Sequence, residues 1–190
     1  MKTAMTVSYL LVLILLVFIL LARNVYSSDM AIRLTPVEQL FLQGYITAKL
    51  TGDQEVPPVV TQVQGKANFA FNQELTEMAY ELKAQSSRDE PVGLLGQAGA
   101  HIHCGAVGKN GPIVAFLSGV ITGGVDGMVE IKATLTDANI VANTCMNSIQ
   151  QDIKTLKDLA EAMHAGNTYV NIHSNAHPGG EVRGQIVTGN

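Results

Sequence analysis

Four of the five histidines fall in or just after two short strings, His101-Ile102-His103 and Tyr169-Val170-Asn171-Ile172-His173, the second closely followed by His177. Side chains at i and i+2 of a strand project from the same face. On a strand, His101 and His103 would therefore point the same way, and a second strand bringing up His173 would complete a cluster of three ring nitrogens. Imidazole suits copper and zinc, and three neutral histidines with an open position fit either ion. The expectation is one transition-metal ion, copper before zinc, held by His101, His103 and His173. His177, in the loop Ser174–Gly180, is an optional fourth ligand. The competing reading is purely structural: the rings hydrogen-bond loop carbonyls and hold the Gly105–Gly111 turn in place.

Other residues gather around these strings by the same parity. Asn171 lies two residues before His173, faces the same side, and is a candidate partner fixing its tautomer. Glu181, Arg183 and Gln185 share one face of the last apolar segment. A hairpin with residues 169–173 would bring Glu181 and Arg183 near the histidines; the alternative is a Glu–Arg surface pair worth under about 1 kcal/mol. Glu55, in Glu55-Val56-Pro57-Pro58, is a weaker candidate ligand, and its prolines are expected to fix extended backbone that protects a sheet edge. Cys104 and Cys145 are the two cysteines. Cys104 could serve as a thiolate ligand beside His103, but neighbouring strand residues face opposite sides. A disulfide is the expected state in an oxidising compartment, stabilising by about 4 kcal/mol in the chain-entropy account. No serine sits in a nucleophile-elbow string, no glycine loop opens a helix to cradle phosphate, and the carboxylates are scattered. These features favour a binding module over an enzyme.

The elements that must position these residues begin after an apolar leader. Lys2 precedes the run Tyr9–Ala22, which Arg23 closes. The run is short for a spanning helix and about right for a signal-peptide core, with Val25-Tyr26-Ser27 offering small residues for cleavage before Ser28. Residues 1–27 are thus read as a signal peptide or an N-terminal membrane anchor, and the remainder as secreted, or extracytoplasmic and membrane-anchored. Without them the chain carries 10 basic residues (12 less Lys2 and Arg23) against 16 acidic, a net charge of −6. With no basic patch interleaved with aromatics, nucleic acid is not an expected partner; an extracellular protein or polymer is. Residues 28–41 read as a linker. Beyond them, alternating segments recur at Tyr45–Leu50, Lys66–Phe71, Met78–Ala84, Ile113–Leu117, Met128–Leu135, Tyr169–His173 and Val182–Val187, punctuated by turn residues. One stretch departs from this pattern. Ser148 with Gln151 forms a capping-box signature, Ile149, Ile153, Leu156, Ala160 and Met163 recur at helical spacing, and Gly166 suits a C-terminal cap. The fold class is therefore mainly β: a Greek-key-like antiparallel β-sandwich with one amphipathic helix over about residues 148–165. His164 lies in the last turn of that helix, where it suits the dipole.

A set of short strings in fixed order resembles the CHRD domain, first described in chordin. They are Leu50-Thr51-Gly52 with Glu55-Val56-Pro57-Pro58-Val59, Gly65 and Phe69, His101-Ile102-His103 with Gly105, Asn110-Gly111-Pro112-Ile113-Val114 with Leu117, Tyr169-Val170-Asn171-Ile172-His173, and Gly180-Glu181-Val182-Arg183-Gly184-Gln185. The resemblance spans residues 42–188. It implies an extracellular binding module and no defined activity. A fainter likeness to copper/zinc superoxide dismutase implies copper on His101 and His103, His173 as third ligand and Arg183 as an anion guide. That likeness lacks a bridging histidine and a zinc cluster, so a dismutase-like redox enzyme is the weaker alternative.

Overall fold

The computed structural model describes residues 46–87 and 91–189. The expected leader (1–27), the linker (28–41) and the first residues of the domain lie outside these. Among the described residues nine strands follow one another: β1 (Ile46–Thr51), β2 (Gln64–Phe71), β3 (Glu77–Gln85), β4 (Ala100–Cys104), β5 (Ile113–Ser118), β6 (Met128–Thr136), β7 (Thr168–Ile172), β8 (Val182–Gln185) and β9 (Val187–Thr188). They form one antiparallel sheet in the order β5-β4-β7-β8-β1-β2-β3-β6, with β9 added beside β1. The chain makes the β1–β2–β3 meander, crosses to β4–β5, returns to lay β6 beside β3, and finally inserts β7 and β8 between β4 and β1. The result is a nearly closed, barrel-like form of the expected sandwich.

Alternation builds the core. Phe69 of β2 and Met78 and Leu82 of β3 meet Ile102 of β4, Val170 and Ile172 of β7 and Val182 of β8 in one buried cluster. The Tyr80 hydroxyl donates to the Leu117 carbonyl at 2.5 Å, tying β3 to β5 across that interior. Cys104, on the apolar side of β4, is disulfide-bonded to Cys145. That removes the alternative in which Cys104 is a thiolate ligand: it faces away from His103, as parity requires.

The helical stretch differs from expectation in its limits. A short helix, α1 (Cys145–Ile149), ends at Gln150, whose backbone is left-handed, and the longer helix, α2 (Leu156–His164), starts anew. The effective N-cap is Thr155, not Ser148. Its side chain accepts from the Asp158 N–H, and the Asp158 carboxylate accepts from the Thr155 N–H at 2.9 Å. Aspartate at the third position closes this box as glutamine would have done at Gln151, and its charge adds a dipole term that Gln151 lacks. Ile153 is still buried, from the connecting loop, together with Leu156, Leu159 and Met163.

A candidate metal centre on the outer face of the sheet

Three neighbouring strands carry the site. His101 pairs with Asn171, and His103 with Tyr169, across β4 and β7. Asn171 pairs in turn with Arg183, and Tyr169 with Gln185, across β7 and β8. Residues directly opposite share a face, so these side chains form one polar patch backing the apolar core. His173 falls just past β7, its N–H donating to the Gly99 carbonyl at 2.9 Å, which keeps it in register with the others. Loops fold over this face. His101 is 2 % exposed, His173 9 % and Arg183 1 %.

The three rings converge. Centroids lie 5.5 Å apart for His101 and His103 and 5.0 Å for His101 and His173. One nitrogen from each falls within 4.8 Å of the others. His103 Nδ1 is 2.9 Å from the Gly111 carbonyl, and His173 Nδ1 is 2.7 Å from the Pro178 carbonyl. A carbonyl only accepts, so both Nδ1 atoms carry the proton, and Nε2 of each presents a lone pair. Both Nε2 atoms are buried without a hydrogen-bond partner, as is Nδ1 of His101, whose ring bonds the Ala98 backbone instead. Desolvation, reinforced by the other rings, pushes His101 down to about 4. Desolvation also takes His103 to about 4 against the Gly111 bond, and lowers His173. All three are therefore neutral at physiological pH, and a metal ion entering the cluster would displace no proton.

Tyr169, which the parity argument left unused, organises the neighbouring part. Its ring stacks on His103 at 4.8 Å with 7° between the planes. Arg183, from the strand on its other side, lays its guanidinium 3.4 Å from the Tyr169 centroid. The Arg183 donors reach the carbonyls of Lys109 (2.8 Å) and Ala106 (3.4 Å) and Asn110 Oδ1 (3.0 Å). Arg183 thus pins the 105–111 loop, which returns the Gly111 carbonyl to His103. With its donors spent on carbonyls and its side chain buried, it is not placed to guide anions from solvent. Nor does it form a surface pair with Glu181, since both are buried and their partners differ.

Glu181 is fully buried and accepts from Ser174 (2.6 Å), Thr61 and His177 Nδ1 (2.7 Å). Burial alone would raise it, but these bonds outweigh burial and hold its carboxyl below the usual range. His177 is accordingly engaged with Glu181 and lies outside the three-histidine cluster. Its contact clamps the 174–181 loop, which supplies the Pro178 carbonyl to His173. Asn171 does not fix the His173 tautomer; Pro178 does, and Asn171 Nδ2 donates to Glu55 Oε1 at 2.6 Å. Glu55 is buried, reached from a loop far earlier in the chain, and desolvation lifts it to about 7 despite the opposing pull of Arg183. Gly180 makes this contact possible: a Cβ there would stand 2.6 Å from both Glu55 Oε1 and Asn171 Nδ2.

The arrangement can bind a cation through three imidazoles whose outer nitrogens are fixed by carbonyls, the form that protein metal ligands usually take. Among the described residues no helix is long and apolar enough to cross a membrane. The disulfide is at home in an oxidising, extracellular setting. No curated protein matches the chain. The family model for the CHRD domain matches residues 46–186, from β1 through β8, and includes all three clustered histidines. The chain belongs to the CHRD domain family.

Proposed function

We propose that the protein is an extracytoplasmic binding module that coordinates one transition-metal ion, copper before zinc, through His101 Nδ1, His103 Nε2 and His173 Nε2. The observation that carries this reading is that three rings, each with a buried, unpartnered nitrogen, bring one nitrogen apiece within 4.8 Å of one another. Leaving a buried polar atom unsatisfied costs about 1–3 kcal/mol, and three in one place are simplest to understand as ligands. Copper(II) stands above zinc in the affinity order for nitrogen sites. Residues 1–27 would deliver the module across a membrane, either released or tethered.

A second reading has its own support: His103 and His173 brace two loops whether or not an ion is present. In that reading the domain is a metal-free extracellular interaction or scaffold module. Isothermal titration of the metal-free protein with Cu(II) and Zn(II) separates the two. One-to-one binding lost in His101→Ala/His173→Ala is expected. Heats that are absent, or the same in wild type and variant, retire the metal reading and leave the scaffold.

A further inference from the structure

The far end of the sheet leaves a surface unspent. β6 pairs with β3 along its whole length, and among the described residues no strand pairs its other side. The Gly127 carbonyl accepts from the Ser86 N–H, and Gly127 lies opposite Ser86 in the β3–β6 register. Backbone groups of alternate residues point to alternate sides of a strand. Val129, Ile131, Ala133 and Leu135 therefore bond toward β3, while Met128, Glu130, Lys132 and Thr134 direct N–H and C=O outward. The Thr136 N–H is already taken by Asn139 Oδ1 at 2.8 Å, so the free edge ends at Thr134. An edge of this kind is a template for another strand.

Its charges select which strand. Glu130 and Lys132 alternate on the exposed face and sit in a ladder with Lys83 and Glu81 of β3, with N···O distances of 3.0–3.5 Å. Place a second β6 antiparallel to the first, centred on Ile131. Glu130 of each copy then faces Lys132 of the other, and both lie at outward-bonding positions. Centring on Glu130 or on Lys132 instead sets like charges against each other, which disfavours those registers. The chosen register also puts Met128, 67 % exposed, opposite Thr134 and sets Ile131 beside its own copy at the margin of the core.

We propose that β6 is the docking edge for a second copy of this chain, the two joining about a two-fold axis at Ile131 into one continuous sheet. A lysine on an edge strand ordinarily repels stray strands; here Glu130 two residues away gives it a partner in one register. Sedimentation of the full chain in mild detergent should show a dimer that weakens as salt rises. Glu130→Lys and Lys132→Glu should each be monomeric alone, because every facing pair then has like sign. Mixing the two in equal amounts should restore a dimer containing one of each. Lys132→Pro, which removes an outward N–H and leaves the β3 pairing intact, should be monomeric with unchanged circular dichroism. A wild-type chain monomeric at every concentration, or a mixture that fails to dimerise, overturns the proposal; so does a dimer that persists in both single variants.

Discussion

The two ends of the sheet carry charge in opposite ways. On and beside β4, β7 and β8 the ionisable groups are sealed beneath loops, and burial is the first cause acting on His101, His103, His173, Glu55 and Glu181. On β3 and β6 the same kinds of charge stand in water, where Glu81 is lowered chiefly by its bonds to Lys132 and Lys83. Residue type is therefore a poor guide to what a charge does here. Water access decides whether a charged group is governed by burial or by its charged neighbours across the sheet.

The contrast is broken most severely at Arg183. Arg183→Met keeps much of the volume but strands the Lys109 and Ala106 carbonyls and uncovers one face of Tyr169. A loss of about 3–5 kcal/mol is expected from removing a buried charge with its partners left behind. Urea unfolding measures it, and a loss below about 1 kcal/mol would show that the 105–111 loop holds itself.

Acid comes next. His101 and His103 have folded values of about 4 against an ordinary 6.5. Above 6.5 neither state holds the extra protons. Between 6.5 and about 4 the unfolded chain takes them up and the native one does not, so stability falls as the pH drops through that window. Melting temperatures of the metal-free protein across this range should decline. Saturating Cu(II) should raise the curve near neutrality and lose its effect as protons compete for the rings. A flat profile would mean that the rings titrate as if exposed.

Glu55 gives a smaller effect of opposite sign. Its folded value of about 7 lies above the ordinary 4.5. Between those values the native state keeps a proton that the unfolded chain has released, so this contribution is present at low pH and lost as the pH rises to about 7. Glu55→Gln keeps an acceptor for Asn171 and cannot ionise. Relative to wild type it should be more favourable at pH 8 than at pH 4.5. Equal melting shifts at the two values would mark Glu55 as an ordinary carboxylate.

At the open end, Glu81→Gln should have the least effect on the unfolding of the single chain, and added salt should shrink it further, as for exposed ion pairs in general. An effect as large as that of Arg183→Met would erase the distinction between the two ends.

Much of the site was legible because strand parity is a local rule. His101 and His103 share a face by sequence alone, as do Asn171 and His173, and the hairpin that joins β7 to β8 follows from the turn residues between them. Tyr169 obeyed the same rule and could have been found by it. What parity cannot supply is the partner across a loop. A bond from a ring to the Gly105–Gly111 turn was among the readings, but the Pro178 carbonyl leaves no mark in residue type, and Glu55 reaches Asn171 only because the chain folds back over the sheet. The expectation of an edge guard for Glu55-Val56-Pro57-Pro58 left out its hydrogen bonds: Glu55 accepts from Asn171 and the Val56 carbonyl from Asn110. The helix shows the other limit. Ser148 and Thr155 both carry an acceptor three residues before a plausible partner, and the left-handed turn at Gln150, a matter of tertiary context, decided for Thr155.

Gly111 offers a way to read the site genetically. A Cβ there would overlap the Cys104 carbonyl oxygen, so no side chain can be added without moving the backbone. The same residue gives His103 its carbonyl and donates its own N–H to the Tyr169 hydroxyl oxygen at 3.2 Å. In a saturation library scored for ligand retention, position 111 would be as intolerant as the histidines themselves. A residue with no side chain would score as a ligand, and the scan would map the geometry of support together with the chemistry of binding.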